Sequence, residues 1–386
     1  MKKVRFAALC ALALAAGNVF ASPALAGAGR APAQVSPRGF GTPAQIPWGS
    51  VGTGWVLTEF VAGPPSQNLA PSYLVLTNQL GQRYIVIKKS GPLANAGLLD
   101  WSGDGQRALL DTENQMGKTT LFVADLHTGA IVDSFVLPTS RTNDFQSAAF
   151  TRPDGLAVVA STYTNHLVLT RYSLSGRPEV TYPSSVTSVG KLAGWIYKPD
   201  GTEIAFGGQH GLAVVANDGT SVRALRLGDS RLSCTPLSWW SANVVLATCL
   251  VGTRLEARLY EFPVAGGTPR ALTRSNVGSD DGDIGAWRVG GHVYVEVASA
   301  CGYRYLAKLV GAAPIMIHLP GVAAGKSVQV VGAGTTALAI STNIACHGGP
   351  SLLWYTPSSN SIRVVLGQPV TGGQMGVSVA YPPRLG

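Results

Sequence analysis

The feature that most constrains the fold of this 386-residue chain is a set of four short apolar runs, clearest between Ala193 and Leu227. Tight turns separate the runs: Lys198-Pro199-Asp200-Gly201 follows the first, and Asn217-Asp218-Gly219 follows the third. Asp-Gly between β-prone runs predicts a hairpin, because glycine accepts the positive φ that such a turn requires. The stretch therefore predicts four antiparallel strands in about 35 residues.

The same pattern recurs along the chain, and two series of markers follow it. The first series is the residue that ends the first apolar run of each repeat, just before the first turn. These residues are 43 to 53 positions apart: Trp48, Trp101, Phe150, Tyr197, Trp240, Trp287 and Val331. The turn between the third and fourth runs follows in phase: Gly81, Gly129, Gly176, Gly219, Gly266, Gly311 and Asn360. A period slightly above 40 residues is typical of β-propeller blades, each a four-stranded sheet. No amphipathic helical pattern interrupts the runs, which favours an all-β fold.

We therefore predict an all-β chain folded as a β-propeller of seven four-stranded blades. Six or eight blades are the alternatives, because the terminal repeats are the least regular. A closed ring leaves no end blade unpacked. Closure takes a strand from one terminus to complete a blade built by the other, and Gly376 to Pro382 is the candidate strand. We expect Trp48 to mark the first blade in register with Trp101.

The repeats resemble those of TolB-type β-propellers. Trp101-Ser102-Gly103-Asp104-Gly105 is similar to that family's W-S-P-D-G turn, and Pro153-Asp154-Gly155 and Pro199-Asp200-Gly201 carry its core. Gly266 to Thr273 resembles the family's blade ending. The resemblance implies a fold rather than a chemistry, since Asp caps the turn and Gly bends it. We expect no counterpart of the α/β domain that precedes the TolB propeller, and the family's role in envelope translocation is not carried over.

The N-terminal residues predict export. Lys2, Lys3 and Arg5 precede the apolar run Phe6 to Ala16. Ala24-Leu25-Ala26 is a small-x-small cleavage site, and Val19-Phe20-Ala21 is the alternative site. We assign residues 1–26 to a signal peptide, 27–42 to a disordered leader rich in Gly, Ala and Pro, and 43–386 to a single propeller domain. No later apolar run reaches the ~20 residues of a membrane span. We expect a secreted, extracellular monomer.

The charge pattern bears on partners. The formal net charge of +9 falls to +6 when the three basic residues of the signal peptide are removed. The remaining cations are scattered and form no block, which argues against a nucleic-acid partner. The expected partner is a protein, a glycan or a small ligand.

Four cysteines remain after the signal, an even number that favours disulfides in an exported chain. Cys234–Cys249 follows from hairpin register, because the two positions are centred on a turn between Ser241 and Ala242. Cys301–Cys346 is expected because both residues end the second strands of adjacent blades. Cys249–Cys301 is the main alternative to these pairings.

The motifs of several enzyme classes are absent from the sequence: the Gly-x-Ser-x-Gly elbow, His-Glu-x-x-His, the Walker loop and the dinucleotide fingerprint. We expect no metal and no cofactor. The acidic segment Ser279 to Asp283 has oxygen ligands for Ca²⁺, but a solvated loop is the favoured interpretation. The favoured function is a non-enzymatic propeller that binds a ligand on its loop-rich face, which we define as the face formed by the loops between the second and third strands of the blades. The alternative is a propeller hydrolase or lyase with a histidine- or metal-based centre in the axial channel.

The candidate site lies at the mouth of the axial channel, on the face of the loops between second and third strands. Its residues are Tyr163, His166, Gln209, His210, Arg254, Tyr303 and His347. Loops that converge on one axis form a concave site on a rigid base. Arginine and histidine there favour an anionic or hydrogen-bonding ligand. We expect Trp239, Trp240 and Trp287 to pack between blades.

Overall fold

The computed structural model describes residues 39–63, 70–114, 117–140, 143–163, 167–183, 194–228, 233–251, 256–274, 282–299, 302–342, 350–367 and 370–381. The described strands pair in antiparallel fashion and fall into seven groups, which we name blades 1 to 7. Short 3-10 turns occur at Pro43–Gln45, Trp48–Ser50 and Gly91–Leu93.

Strands β1 to β11 follow one another in blades 1 to 3, and β28 (Gln374–Ala380) adds a twelfth strand to blade 1. Blade 1 has β1 (Trp55–Val61), β2 (Ser72–Asn78) and β3 (Arg83–Lys88); blade 2 has β4 (Gly97–Trp101), β5 (Arg107–Glu113), β6 (Thr119–Asp125) and β7 (Ile131–Val136); blade 3 has β8 (Asp144–Phe150), β9 (Ala157–Tyr163), β10 (Leu167–Ser173) and β11 (Pro178–Thr181).

The other four blades and the last strand complete the set. Blade 4 has β12 (Trp195–Tyr197), β13 (Glu203–Gln209), β14 (Gly211–Ala216) and β15 (Val222–Arg226); blade 5 has β16 (Ser233–Ser241), β17 (Val244–Val251), β18 (Glu256–Pro263) and β19 (Arg270–Ala271); blade 6 has β20 (Gly282–Val289), β21 (His292–Ala298), β22 (Arg304–Val310) and β23 (Ala313–Met316); blade 7 has β24 (Val328–Ala333), β25 (Leu338–Thr342), β26 (Ser351–Thr356) and β27 (Ser361–Leu366); β28 is Gln374–Ala380.

Blades 4 and 5 share one sheet. The first strand of blade 4, β12, has only three residues and pairs with the first half of β13. The edge left open on β13 is taken by the start of β16, through Gly208 opposite Cys234 and Gln209 opposite Ser233. The short β12 thus lets blade 5 attach directly to blade 4 on the loop-rich face.

The first strand of each blade lies innermost. First strands of neighbouring blades contact one another: β28 with β4, β4 with β8, β12 with β16, β20 with β24, and β24 with β28. The fourth strands β7, β11 and β15 are mostly exposed. Separate apolar clusters fill the spaces between blades; Leu109, Phe150 and Val158, for example, pack between blades 2 and 3. Burial of these faces against neighbours is the main stabilising term for such a ring.

The predicted closing strand is confirmed. β28 pairs antiparallel with β1, with Val56 opposite Ala380 and Phe60 opposite Met375, and so completes blade 1. The expectation for Trp48 is wrong, because this residue lies in a 3-10 turn outside the blade. The position after the first strand of blade 1 is taken by Tyr381 from the other end of the chain.

The second marker series is confirmed in every blade. Each of its residues lies in the turn between third and fourth strands and has a positive φ, between 45° at Asn360 and 100° at Gly266. A left-handed backbone is costly for residues with a Cβ, which explains why six of the seven positions are glycine.

The fold class is confirmed as an all-β propeller of four-stranded blades. The count of seven rests on the described strands and, for the whole chain, stays a prediction. The described residues begin at Gly39, and Gly41 forms an isolated parallel bridge with Tyr84 of β3. The predicted limits of signal, leader and domain stay predictions. Within the described ranges, no helix has the length and apolar character needed to cross a bilayer.

Candidate ligand site in the channel wall

In the described residues, the inner strands of six blades carry a β-bulge. Five have an unpaired extra residue: Leu99 on β4, Gln146 on β8, Leu237 on β16, Ile284 on β20 and Val331 on β24. In blade 1, Gly376 and Val377 of β28 lie opposite the single residue Glu59 of β1. A bulge inserts one residue into a ladder and changes the direction of nearby side chains. Because these strands surround the axis, their bulges shape the wall of the channel.

A cavity of about 220 Å³ lies in this wall where blades 5, 6 and 7 meet. It is lined by Leu237 and Ser238 of β16, Ile284, Gly285, Ala286 and Trp287 of β20, Glu296 of β21, Arg304 of β22 and Val330 of β24. Since Arg304 is the first residue after the loop between second and third strands, the cavity extends toward the loop-rich face. This is the face on which the sequence places the site.

An ion pair forms the polar part of the cavity. Nη1 of Arg304 donates to Oε1 of Glu296 at 2.9 Å, and the backbone N–H of Val330 donates to Oε2 at 2.8 Å. The Glu296 side chain is 4% exposed, whereas that of Arg304 is 35% exposed. Burial raises the pKa of the Glu296 carboxyl, while the Val330 N–H and Arg304 oppose the shift. The buried carboxylate thus holds a guanidinium that remains accessible.

The indole of Trp287 forms an apolar wall of the cavity, and Gly285 makes room for it. A Cβ at Gly285 would lie 2.5 Å from the Cη2 atom of Trp287, closer than side chains tolerate. The ring therefore lies across the backbone of its own strand. Only glycine at position 285 permits this arrangement without displacing the indole.

None of the predicted site residues that the structure describes is among the residues lining this cavity. Tyr303 precedes Arg304 and its ring lies 6.1 Å from that of Tyr305. Tyr163 ends β9, opposite Asp144 and Leu167. His166, Arg254 and His347 lie outside the described residues, so their place in the site stays a prediction.

Gln209 and His210 form the hairpin between β13 and β14. His210 has a φ of +73°, a left-handed conformation that is uncommon for a residue with a Cβ. Gln209 pairs with Ser233 at the start of β16, the strand that also supplies Leu237 and Ser238 to the cavity. The hairpin is therefore one strand away from the cavity, on the loop-rich face.

The disulfide Cys234–Cys249 joins β16 to β17. The two residues are direct cross-strand partners, as the register argument predicts. The alternative Cys249–Cys301 is excluded, since Cys249 is already bonded. Cys301 and Cys346 lie outside the described residues, and their pairing stays a prediction. The bond secures the end of β16 that attaches blade 5 to blade 4.

The three tryptophans pack between neighbouring blades as predicted, whereas the acidic segment differs from expectation in part. Trp239 is buried between blades 4 and 5, and Trp240 has the Arg288 guanidinium 4.2 Å above its ring. Trp287 packs against the core and also lines the cavity. Asp283 is fully buried in β20, so it is not part of a solvated loop, and residues 279–281 of the predicted loop lie outside the described residues. Within the described ranges, no three His, Cys, Asp or Glu side chains are grouped to hold a metal ion.

Sequence reasoning missed Glu296 and Arg304. One signal was present: Glu296 is the single charged residue in the apolar strand His292–Ala298. A lone carboxylate in such a run is almost never buried without a partner. Its partners, however, come from the next strand and the next blade, so the sequence does not name them.

A second cavity of about 190 Å³ lies on the opposite face. It is lined by Gln79 and Leu80 after β2 and by residues of β26 and β27, including Arg363. Nη1 of Arg363 donates to the carbonyl of Leu80 at 2.6 Å. None of the predicted site residues that the structure describes lines it, which makes Arg363 a suitable control for the channel site.

No family model and no curated protein sequence matches the chain. Among solved structures, it is similar to the β-propeller domain of the Trilobed protease from Pyrococcus furiosus, with 12% identity over 80% of this chain and 98% of that chain and a TM-score of 0.52. It is also similar to oligopeptidase B from Leishmania major, with 9% identity over 82% of this chain and 49% of that chain and a TM-score of 0.54.

A similarity to TolB from Acinetobacter baumannii has 15% identity over 68% of this chain and 65% of that chain, with a TM-score of 0.40. The chain thus spans about half of the oligopeptidase and somewhat less than two thirds of TolB. At these identities the comparisons show the fold alone, which is a β-propeller. The Trilobed protease domain is described as having an open velcro topology, whereas β28 closes the ring here.

Proposed function

We propose that this chain is a non-enzymatic β-propeller that binds a ligand in the wall of its axial channel, near the loop-rich face. The observation that carries the proposal is the accessible Arg304 guanidinium, held by a buried carboxylate inside a cavity of otherwise mostly apolar lining. Concave, largely apolar sites with a few fixed polar groups are typical of ligand pockets. The inner strands supply a rigid base for such a site.

The proposal includes export of the chain. Two observations support it: the N-terminal basic residues followed by an apolar run, and the Cys234–Cys249 disulfide. Disulfides persist in oxidising compartments and are rare in the cytosol. N-terminal sequencing of protein recovered from the culture medium should begin at Gly27. Recovery only from the cytosol, with Met1 retained, contradicts export.

The binding proposal is tested with a ligand screen. The mature chain is heated with amino acids, organic acids, sugars and short peptides, and the melting temperature is recorded. A ligand at 100 times its Kd adds about 2.7 kcal/mol of stability, enough to raise Tm measurably. The tightest compound is then titrated calorimetrically into the wild type, Arg304→Gln and Arg363→Gln.

The two variants separate the two cavities. We expect Arg304→Gln to weaken binding at least about tenfold, since a hydrogen bond to a charged group contributes about 1.5–3 kcal/mol. Arg363→Gln should bind like the wild type. The reverse result places the ligand on the opposite face and contradicts the proposal.

A further inference from the structure

We infer that the ligand of the channel cavity is a carboxylate carried on an apolar or aromatic group. This inference rests on the proposed function and names its ligand class. Three features of the cavity lead to it: which member of the ion pair is exposed, how many cations are present, and what the remaining walls are made of.

The exposed member of the ion pair is the cation. Both oxygens of Glu296 already accept hydrogen bonds, one from Arg304 and one from the backbone of Val330. Its side chain is almost fully buried, whereas a third of the Arg304 side chain is accessible. A guanidinium has five N–H donors in a fixed fork, so bonding to Glu296 through Nη1 leaves others for a ligand. The cavity therefore presents hydrogen-bond donors and positive charge.

A second ion pair between blades leaves its cation much less accessible. Asp100 and Arg152 form the corresponding clamp between blades 2 and 3, where the Phe150 N–H donates to Asp100 at 2.8 Å. Arg152 donates to both oxygens of Asp100 and to the Phe150 carbonyl. Its side chain is only 14% exposed. The Arg152 side chain is thus mostly buried, whereas the Arg304 side chain is partly accessible and lines a cavity.

The charge of the site selects a monoanion. Arg304 is the only basic residue among the described residues that line the cavity, and the adjacent Glu296 offsets part of its field. A phosphate carries up to two negative charges and is usually bound by several cations or backbone donors. A carboxylate matches a single guanidinium fork. The geometry thus favours a carboxylate over a phosphate.

The remaining walls require an apolar body. Leu237, Ile284, Ala286 and Trp287 line the cavity together with Arg304, and Ser238 supplies a hydroxyl. Burying an apolar group against these walls favours binding in proportion to the apolar area removed from water. A hydrophilic carboxylate would leave these walls hydrated and gain little. Two sources present the required chemistry: a free hydrophobic acid, and the C-terminal residue of a peptide.

The test compares an acid with its amide. N-acetyl-phenylalanine and N-acetyl-phenylalanine amide are titrated into the folded mature chain, together with a pentapeptide ending in phenylalanine in its free and amidated forms. We expect each acid to bind at least about tenfold more tightly than its amide. A tighter pentapeptide acid indicates a peptide C-terminus as the source, and equal affinities of the two acids indicate a free acid.

Variants make the result specific to the cavity. Arg304→Gln should abolish the preference for acid over amide, and Gly285→Ala should weaken both forms by displacing the Trp287 indole. Arg363→Gln is the control and should behave like the wild type. If Arg304→Gln does not fold, Arg304→Lys keeps the charge without the planar fork and should lower the preference for the acid.

Two outcomes overturn the inference. Equal binding of acid and amide shows that the cavity does not select a carboxylate, although the proposed function stands. Absence of binding by all four probes rules out this ligand class; the separate screen with Arg304→Gln and Arg363→Gln then decides whether the channel binds anything else. The failure of the inference and that of the proposed function are therefore distinguishable.

Discussion

At the scale of single residues, the half-buried carboxyl of Asp111 makes the stability of the fold depend on pH. Asp111 lies near the end of β5, close to Glu59, Glu113 and Lys89, and Lys89 pairs with Glu59. Burial, with repulsion from Glu59 and Glu113, raises the pKa of Asp111 to about 6. In the unfolded chain this pKa is near 4. Between these values the folded protein binds the proton more strongly than the unfolded chain does.

This difference predicts the pH dependence of the Asp111 contribution. As pH rises from about 4 to about 6, the unfolded chain ionises first, so the contribution of Asp111 to the unfolding free energy falls. Asp111→Asn should remove this loss. The unfolding free energy of the variant should exceed that of the wild type by about 1–2 kcal/mol at pH 7 and differ little from it at pH 4. Urea unfolding at several pH values measures it. A variant equally destabilised at both pH values refutes the assigned pKa.

At the scale of elements, the turns between third and fourth strands were predictable because their signal is local. Asp-Gly and related pairs require a positive φ within four residues, and the structure has that φ at each marker. The Cys234–Cys249 pairing was predictable for a similar reason, since it depends only on hairpin register. Glu296, Arg304 and Val330 meet across a strand and a blade boundary, which no local signal encodes.

A matched pair of glycines separates backbone strain from packing in these turns. Gly311 has a φ of +61° with open space around a Cβ, whereas a Cβ at Gly176, with a φ of +82°, would lie 2.4 Å from the Cβ of Phe135. Gly311→Ala should lower the unfolding free energy by about 1–2 kcal/mol, because an alanine is strained in the left-handed backbone conformation. Gly176→Ala adds the clash and should cost clearly more. Chemical unfolding of both variants checks this; equal losses mean that packing against Phe135 contributes nothing.

At the scale of the whole molecule, the ring is closed by the C-terminal strand. This explains the error at Trp48: the first strand of blade 1 comes from the end of the chain, so the marker after it is Tyr381. A series of spacings read along the chain cannot show that the marker of the first blade comes from the C-terminal strand. Tyr381 packs edge-on to Trp101 at 5.0 Å, and its hydroxyl donates to the Gly103 carbonyl at 2.7 Å. The residue thus joins β28 to blade 2.

Closure can be weakened at this one residue. Tyr381→Ala should lower the unfolding free energy by about 3–5 kcal/mol, because a buried aromatic ring between blades is lost. Tyr381→Phe keeps the ring and should cost about 1 kcal/mol through the hydroxyl alone. Urea midpoints compare the two with the wild type. An unchanged midpoint for Tyr381→Ala means that closure does not depend on this contact.

The ligand is proposed to bind in the channel wall between blades 5, 6 and 7. A crystal structure of the chain with its tightest ligand tests this most directly. The predicted result is a ligand with an acceptor group within hydrogen-bond distance of the Arg304 guanidinium and an apolar group against Trp287. A ligand bound instead on the opposite face, beside the turns of Asp104, Asp154 and Asp200, contradicts the claim.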